Sequence, residues 1–215
     1  MLSNAIMSSW IPPQVLDEIE TLKKNKNFDE AIRLVNSLLS RDPNNEDALL
    51  QIADIQYQKG DIGKADKAVD FLNAKKKDDP LALYIKGILE MEKNNREEAL
   101  KILKRALDLT NGDNHEILRC YGLCEYRYGH REKGIQHLEK SFAMNDKDAE
   151  VIYNLIQLHM LESHYNDAEK MIDYYLSHHD QLIVVDKDLN WYDRKISLFV
   201  KAIETKPQKK RKNVH

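Results

Sequence analysis

The sequence predicts an all-α chain, built as a solenoid of helical hairpins and closed by a C-terminal capping helix. Three observations carry this: a period of about 34 residues, apolar positions spaced by three and four, and small residues at matching places in each unit. Ala31, Ala65, Ala99, Gly134 and Ala168 sit in the similar segments NFDEAIRLVNSLL, DIGKADKAVDFL, NREEALKILKRAL, HREKGIQHLEKSF and HYNDAEKMIDYYL, at spacings of 34, 34, 35 and 34. Units of this length bury their apolar faces only by stacking on a neighbour, so the period implies an array.

Each segment follows another amphipathic stretch that ends in a polar turn. The turns are Asn25-Lys26-Asn27, Lys59-Gly60-Asp61, Lys93-Asn94-Asn95, Tyr128-Gly129-His130 and Glu162-Ser163-His164. Every unit therefore reads helix, turn, helix. Ile32, Val35, Leu38 and Leu39 in the first unit, and Leu100, Leu103 and Leu107 in the third, mark single helical faces. No segment alternates as a strand. Ala53, Gly87 and Gly122 fall mid-way along the first helices, twelve residues before the small residue of the second. A glycine inside a helix costs about 1 kcal/mol relative to alanine, so Gly87, Gly122 and Gly134 predict close helix crossings.

In length and plan the unit resembles the tetratricopeptide repeat, and the resemblance covers residues 12–179 as five repeats. It rests on Leu118-x2-Tyr121-Gly122, on Ala31-x3-Val35 ending in Pro43, and on Ala99-x3-Leu103 followed by Ala106. No repeat has the family's tryptophan near the start of its first helix. The usual tyrosine is displaced by one, giving Tyr57, Met91, Tyr126 and Met160. Pro43 ends the first repeat, whereas Pro80 opens the third, where a first helical turn tolerates proline. Pentatricopeptide repeats have a similar period, but they bind RNA in a groove that must attract phosphate. Here the body is acidic.

That acidity appears once the tail is set apart. The chain has 33 basic and 36 acidic residues, and the last ten residues hold five Lys/Arg and no acid. The other 205 residues thus carry 28 basic against 36 acidic groups, net −8 against +5 for the tail.

Stacked repeats need capped ends. After Leu182-Ile183-Val184-Val185, Asp186 or Asp188 is placed to cap a helix carrying Leu189, Tyr192, Ile196, Phe199 and Ile203 on one stripe. Residues 180–205 therefore read as link and capping helix. The N-terminal arm, residues 1–11, either packs through Trp10 and Ile11 before Pro12-Pro13 or remains free of the array.

The resemblance implies a right-handed superhelix whose concave wall is formed by the first helices and receives a peptide or short helix of a partner. Projection of those helices points Leu50, Asp54, Tyr57, Tyr84, Ile88, Met91, Leu123, Tyr126, Tyr153, Gln157 and Met160 inward. Aromatic and methionine side chains suit an apolar anchor, although the same spacing also describes core between repeats. The clamp by which some family members hold carboxylate tails is missing: its positions carry Leu16, Glu20, Gln51, Leu81 and Ile85. Arg119 and Arg127 of the fourth repeat remain as contacts for an acidic ligand.

The basic tail, Lys206, Lys209, Lys210, Arg211 and Lys212, resembles a nuclear localisation signal if the source is eukaryotic. It also reads as a salt-sensitive grip on nucleic acid or as a solubilising end. Phosphate-binding glycine loops, HExxH, CxxC and a serine elbow between glycines do not occur, so neither an enzyme, a cofactor nor a metal is expected. Cys120 and Cys124 lie one helical turn apart and read as small apolar thiols in a tight interface. His178-His179-Asp180 reads as a helix end. Two cysteines, no apolar run near the roughly 20 residues of a membrane span, and a first basic residue at Lys23 predict a cytoplasmic protein. The expected role is a non-catalytic scaffold or adaptor binding one protein of a larger assembly, with self-association through the arm as a variant. The rival role is a nucleic-acid-associated assembly factor working through the tail.

Overall fold

All five turn triplets adopt one geometry. The middle residue enters the left-handed region at Lys26 (φ 59°), Gly60 (87°), Asn94 (62°), Gly129 (110°) and Ser163 (64°). The N–H of the third residue then reaches back five residues, as from Asn27 to Leu22 and from His164 to His159, both at 2.8 Å. This is the Schellman closure, which satisfies carbonyls a helix end would leave bare. One local solution is thus used five times to reverse the chain.

The computed structural model describes residues 10–75, 78–184 and 187–205. The five hairpins are α1 (Pro13–Lys24) with α2 (Phe28–Arg41), α3 (Glu46–Lys59) with α4 (Ile62–Lys75), α5 (Pro80–Glu92) with α6 (Arg96–Leu109), α7 (His115–Tyr128) with α8 (Arg131–Met144), and α9 (Ala149–Leu161) with α10 (Tyr165–Ser177). A last helix, α11 (Leu189–Glu204), follows a single 3-10 turn at His179–Gln181. The first helices from α3 onward, and α11, start on an Asn or Asp side chain that accepts backbone N–H groups: Asn45, Asp79, Asn114, Asp148 and Asp188. In α1, Pro12 stands in the cap position and Pro13 takes the first helical place.

Packing is sequential. Each helix contacts the next, and α3 also touches α5, α5 touches α7, and α9 touches α11. Five successive apolar clusters fill the interfaces, from Ile19, Val35 and Ile55 near one end to Ile156, Tyr175 and Ile196 near the other. Gly87, Gly122 and Gly134 lie at close helix crossings. A Cβ on Gly87 would stand 2.5 Å from Leu103 Cγ, and one on Gly134 would stand 2.6 Å from the Gly122 carbonyl oxygen.

The two ends differ from expectation in detail. Ile11 is buried against the first cluster, but Trp10 beside it is 62% exposed, since neighbouring side chains of an extended stretch point to opposite sides and Ile11 takes the inner one. Trp10 is therefore not a packing anchor. At the other end Asp188 caps α11, while Asp186 lies outside the described residues. Tyr192 and Ile196 are buried on α9, with Phe199 and Ile203 beside them. The link is pinned by one parallel bridge: Ile183 donates to the Lys147 carbonyl at 2.7 Å and accepts from the Ala149 N–H at 3.0 Å. Among the described residues no helix is long and apolar enough to cross a membrane.

Candidate functional site

The first helices form one wall, and polar side chains lace their neighbouring edges. Lys23 of α1 reaches Asp54 of α3 at 2.5 Å, and Asp54 also accepts from Gln58. On α5, the Tyr84 hydroxyl donates to Glu116 of α7 at 2.7 Å. Arg119 of α7 donates twice to Glu116 and at 3.1 Å to Glu150 of α9. The Tyr126 hydroxyl donates at 2.5 Å to Glu162, which also accepts from Arg131 at 3.0 Å. These bonds tie the first repeat to the second, and the third through the fifth to one another.

The electrostatics follow from burial. Burial opposes charge on Glu116, yet the Arg119 guanidinium and the Tyr84 hydroxyl hold its carboxyl below the usual range. Burial pushes the thiols of Cys120 and Cys124 up to about 12 and about 11, so both stay protonated and unreactive at neutral pH. Both are free and buried, as expected for packing residues.

Most inward-projected residues are half-buried rather than freely exposed. Leu50 and Tyr57 pack on the cluster between α3 and α5, and Tyr84, Ile88 and Met91 pack on that between α5 and α7. Leu123 and Tyr126 serve the next cluster, and Tyr153 and Met160 the last. Tyr153 is occupied further: its ring lies 5.2 Å from Trp191 and 5.8 Å from Tyr192, so the capping helix covers it. Asp54 is engaged by Lys23, and Gln157 is half-buried. One expectation is corrected. Arg119 is only 5% exposed and already carries two carboxylate partners, so it braces the wall and is not open to an acidic ligand. Arg127 is exposed. Lys206, Lys209, Lys210, Arg211 and Lys212 lie outside the described residues, as does the arm before Trp10.

Two features escape a position-by-position reading. Lys23 closes the first repeat onto the second, and Arg96, at the start of α6, shares a cavity of about 280 Å³ with Met91, Asn94, Cys124 and Arg127. The available signal is an offset of about 31 residues, which sets the start of a second helix beside the end of the next first helix, as in Arg131 and Glu162. A larger cavity, about 410 Å³, lies between α10 and α11 and is lined by Tyr175, Leu176, Ile196 and Val200 among others. For metal binding, His115, Glu116 and Asp148 bring ligand atoms within 4.8 Å of one another. The two carboxylates already have structural roles: Glu116 holds Arg119, and Asp148 caps α9 through the N–H groups of Glu150 and Val151.

Comparison with known proteins bears on the fold. No curated protein sequence matches the chain. Residues 22–89 match the tetratricopeptide repeat family model. Among solved structures, a thermophilic protein of this repeat class from Thermus thermophilus is 21% identical. It aligns over 87% of this chain and 98% of its own with a TM-score of 0.73. PilW, a type IV pilus biogenesis factor, is 21% identical over 90% of this chain and 89% of its own, with a TM-score of 0.69. YrrB, described as having an unusual peptide-binding site, is 15% identical over 88% and 91%, with a TM-score of 0.56. The tetratricopeptide repeat match thus rests on residues 22–89, and the hairpins beyond them continue the fold of solved structures of that repeat class.

Proposed function

We propose that the chain is a non-catalytic scaffold that holds an extended peptide or short helix of a partner protein against the wall of first helices. The observation that carries this is a contrast between the two sets of helices. Exposed positions on the second helices are chiefly charged, as in Glu97, Glu98, Lys101, Lys104 and Arg105 of α6. The first helices instead hold no exposed residue over 48–58, 82–91, 116–126 and 150–160; their outermost positions there are half-buried and include Leu50, Tyr57, Ile88, Met91, Leu123 and Met160 beside polar Gln51, Asp54 and Gln157. Apolar surface left partly wet along one continuous wall is what a peptide anchor uses, and methionine adapts its shape to the ligand. The peptide-binding site named for YrrB, on the same fold, supports this reading by analogy.

Photo-crosslinking tests it. A benzoylphenylalanine replacing Ile88 or Leu123 is expected to capture a discrete partner in native extract, whereas the same group at Lys104 captures none. Equal capture from both faces, or none from the wall, would remove the assignment.

A further inference from the structure

Arg96 and Arg127 stand at one cavity with no counter-ion among the described residues. The cavity, about 280 Å³, lies between the turn of the third repeat and the C-terminal end of α7. Arg96 donates from Nε to Asn94 Oδ1 at 3.0 Å and from Nη1 to the Arg127 carbonyl oxygen at 3.3 Å. These neutral acceptors fix the guanidinium plane without cancelling its charge. The next repeat shows the contrast. There Arg131, also the first residue of its second helix, finds a carboxylate 31 residues further on, in Glu162 at 3.0 Å. At the same offset Arg96 meets a second cation.

The rest of the lining offers no anion. Cys124 is 1% exposed with its sulfur 3.6 Å from the Arg96 carbonyl oxygen, and burial keeps it a neutral thiol. Met91 adds an apolar side. A guanidinium held in a fixed plane, as that of Arg96 is, matches a planar carboxylate through paired N–H donors, and the exposed Arg127 side chain adds a second positive charge beside it. The residues before the tail carry net −8, which disfavours approach by a polyanion but leaves room for a single negative group guided into a locally positive cavity.

We infer that this cavity is a carboxylate-binding subsite, taking an acidic side chain or a C-terminal carboxylate of a peptide, with Met91 against the neighbouring apolar residue. This rests on the scaffold reading and adds the charge that its ligand must carry. The subsite lies outside the positions at which some tetratricopeptide repeat proteins clamp carboxylate tails, which here hold Leu16, Glu20, Gln51, Leu81 and Ile85.

The test uses the full chain labelled with methyl-13C-methionine, whose six methionines include one in the cavity, Met91. The probes are acetyl-Ala-Leu-Ala with a free carboxylate, acetyl-Ala-Glu-Leu-Ala-amide, its Gln counterpart, and inorganic phosphate. One or both carboxylate peptides should shift the Met91 methyl saturably, and which one does so tells whether a terminal or a side-chain carboxylate is bound. The Gln peptide should not. Arg127→Gln is expected to weaken the effect at least tenfold, with circular dichroism unchanged, because no side-chain bond of Arg127 supports the fold among the described residues. The inference is overturned by no shift, by an equal shift from the Gln peptide, by insensitivity to Arg127→Gln, or by phosphate displacing the peptides at lower concentration. Partner crosslinks from Ile88 and Leu123 that persist despite such a failure would leave the wall reading intact without this subsite.

Discussion

Gly122 and Gly134 face each other across the α7–α8 crossing so closely that neither can carry a side chain. A Cβ on Gly134 would lie 2.6 Å from the Gly122 carbonyl oxygen and 2.7 Å from the Tyr126 nitrogen, both backbone atoms. Backbone cannot move aside as a side chain can, so the helices themselves would have to separate. Alanine would otherwise favour a helix by about 1 kcal/mol over glycine, but overpacking of this kind costs about 1–3 kcal/mol and prevails here. Gly134→Ala should therefore lower the urea midpoint. Gly87→Ala, whose Cβ meets only the Leu103 side chain at 2.5 Å, should lower it less, because a leucine can repack. The second repeat already has alanine at both places, Ala53 and Ala65, fully buried.

The five turns allow the opposite kind of change. Lys26 and Ser163 hold φ of 59° and 64° where the second and fourth repeats have glycine. The left-handed region costs a residue with a Cβ about 1–2 kcal/mol, offset in part by the greater freedom that glycine loses on folding. Lys26→Gly and Ser163→Gly should each stabilise the chain by about 0.5–1 kcal/mol in chemical denaturation. Gly129→Ala, at φ 110°, should destabilise it.

The parts of the fold legible in the sequence are those set by local rules repeated at a fixed period. Turn triplets and small-residue crossings each depend on residues within one hairpin, so Gly87 and Gly122 could be read directly, while the cap of α11 could be narrowed only to Asp186 or Asp188, of which Asp188 caps the helix. Arg119 could not. Its helical phase points it toward the wall, but its burial depends on Glu150, 31 residues away on the next first helix. Trp10 failed for the reverse reason, since apolar character alone does not say which of two neighbouring side chains, Trp10 or Ile11, faces the array. The pairing of Arg96 with Arg127 is likewise a relation between repeats, and neither residue is unusual within its own.

Arg119 is expected to be one of the costliest single residues to remove. It is buried at 5% exposure between Glu116 and Glu150, and Tyr84 shares the Glu116 carboxylate. Arg119→Ala would leave two partly buried carboxylates facing each other without a cation. Breaking a buried pair from one side costs about 3–5 kcal/mol, so the variant should unfold well below the parent chain in thermal denaturation. Adding Glu116→Gln to Arg119→Ala should recover part of that loss. A double variant no more stable than Arg119→Ala would show that the carboxylate was not the source.

Acid sensitivity should be traceable to His159. The side chain is 6% exposed, and its Nδ1 has no hydrogen-bond partner. Burial lowers its pKa below the usual 6.5; Asp167 and Glu139 pull the other way, while His164 and Lys170 add to the lowering. The folded chain therefore keeps this ring neutral where the unfolded chain would take up a proton. The stability it confers is complete above pH about 6.5 and is lost as pH falls from there through the folded-state pKa. His159→Phe removes the titration and an unpartnered nitrogen together. In urea denaturation the variant should match the parent within about 1 kcal/mol at pH 7.5, since an apolar replacement of a buried unpaired polar group is close to neutral. At pH 5 it should be the more stable of the two, and an unchanged difference between the two pH values would assign the acid sensitivity to other groups.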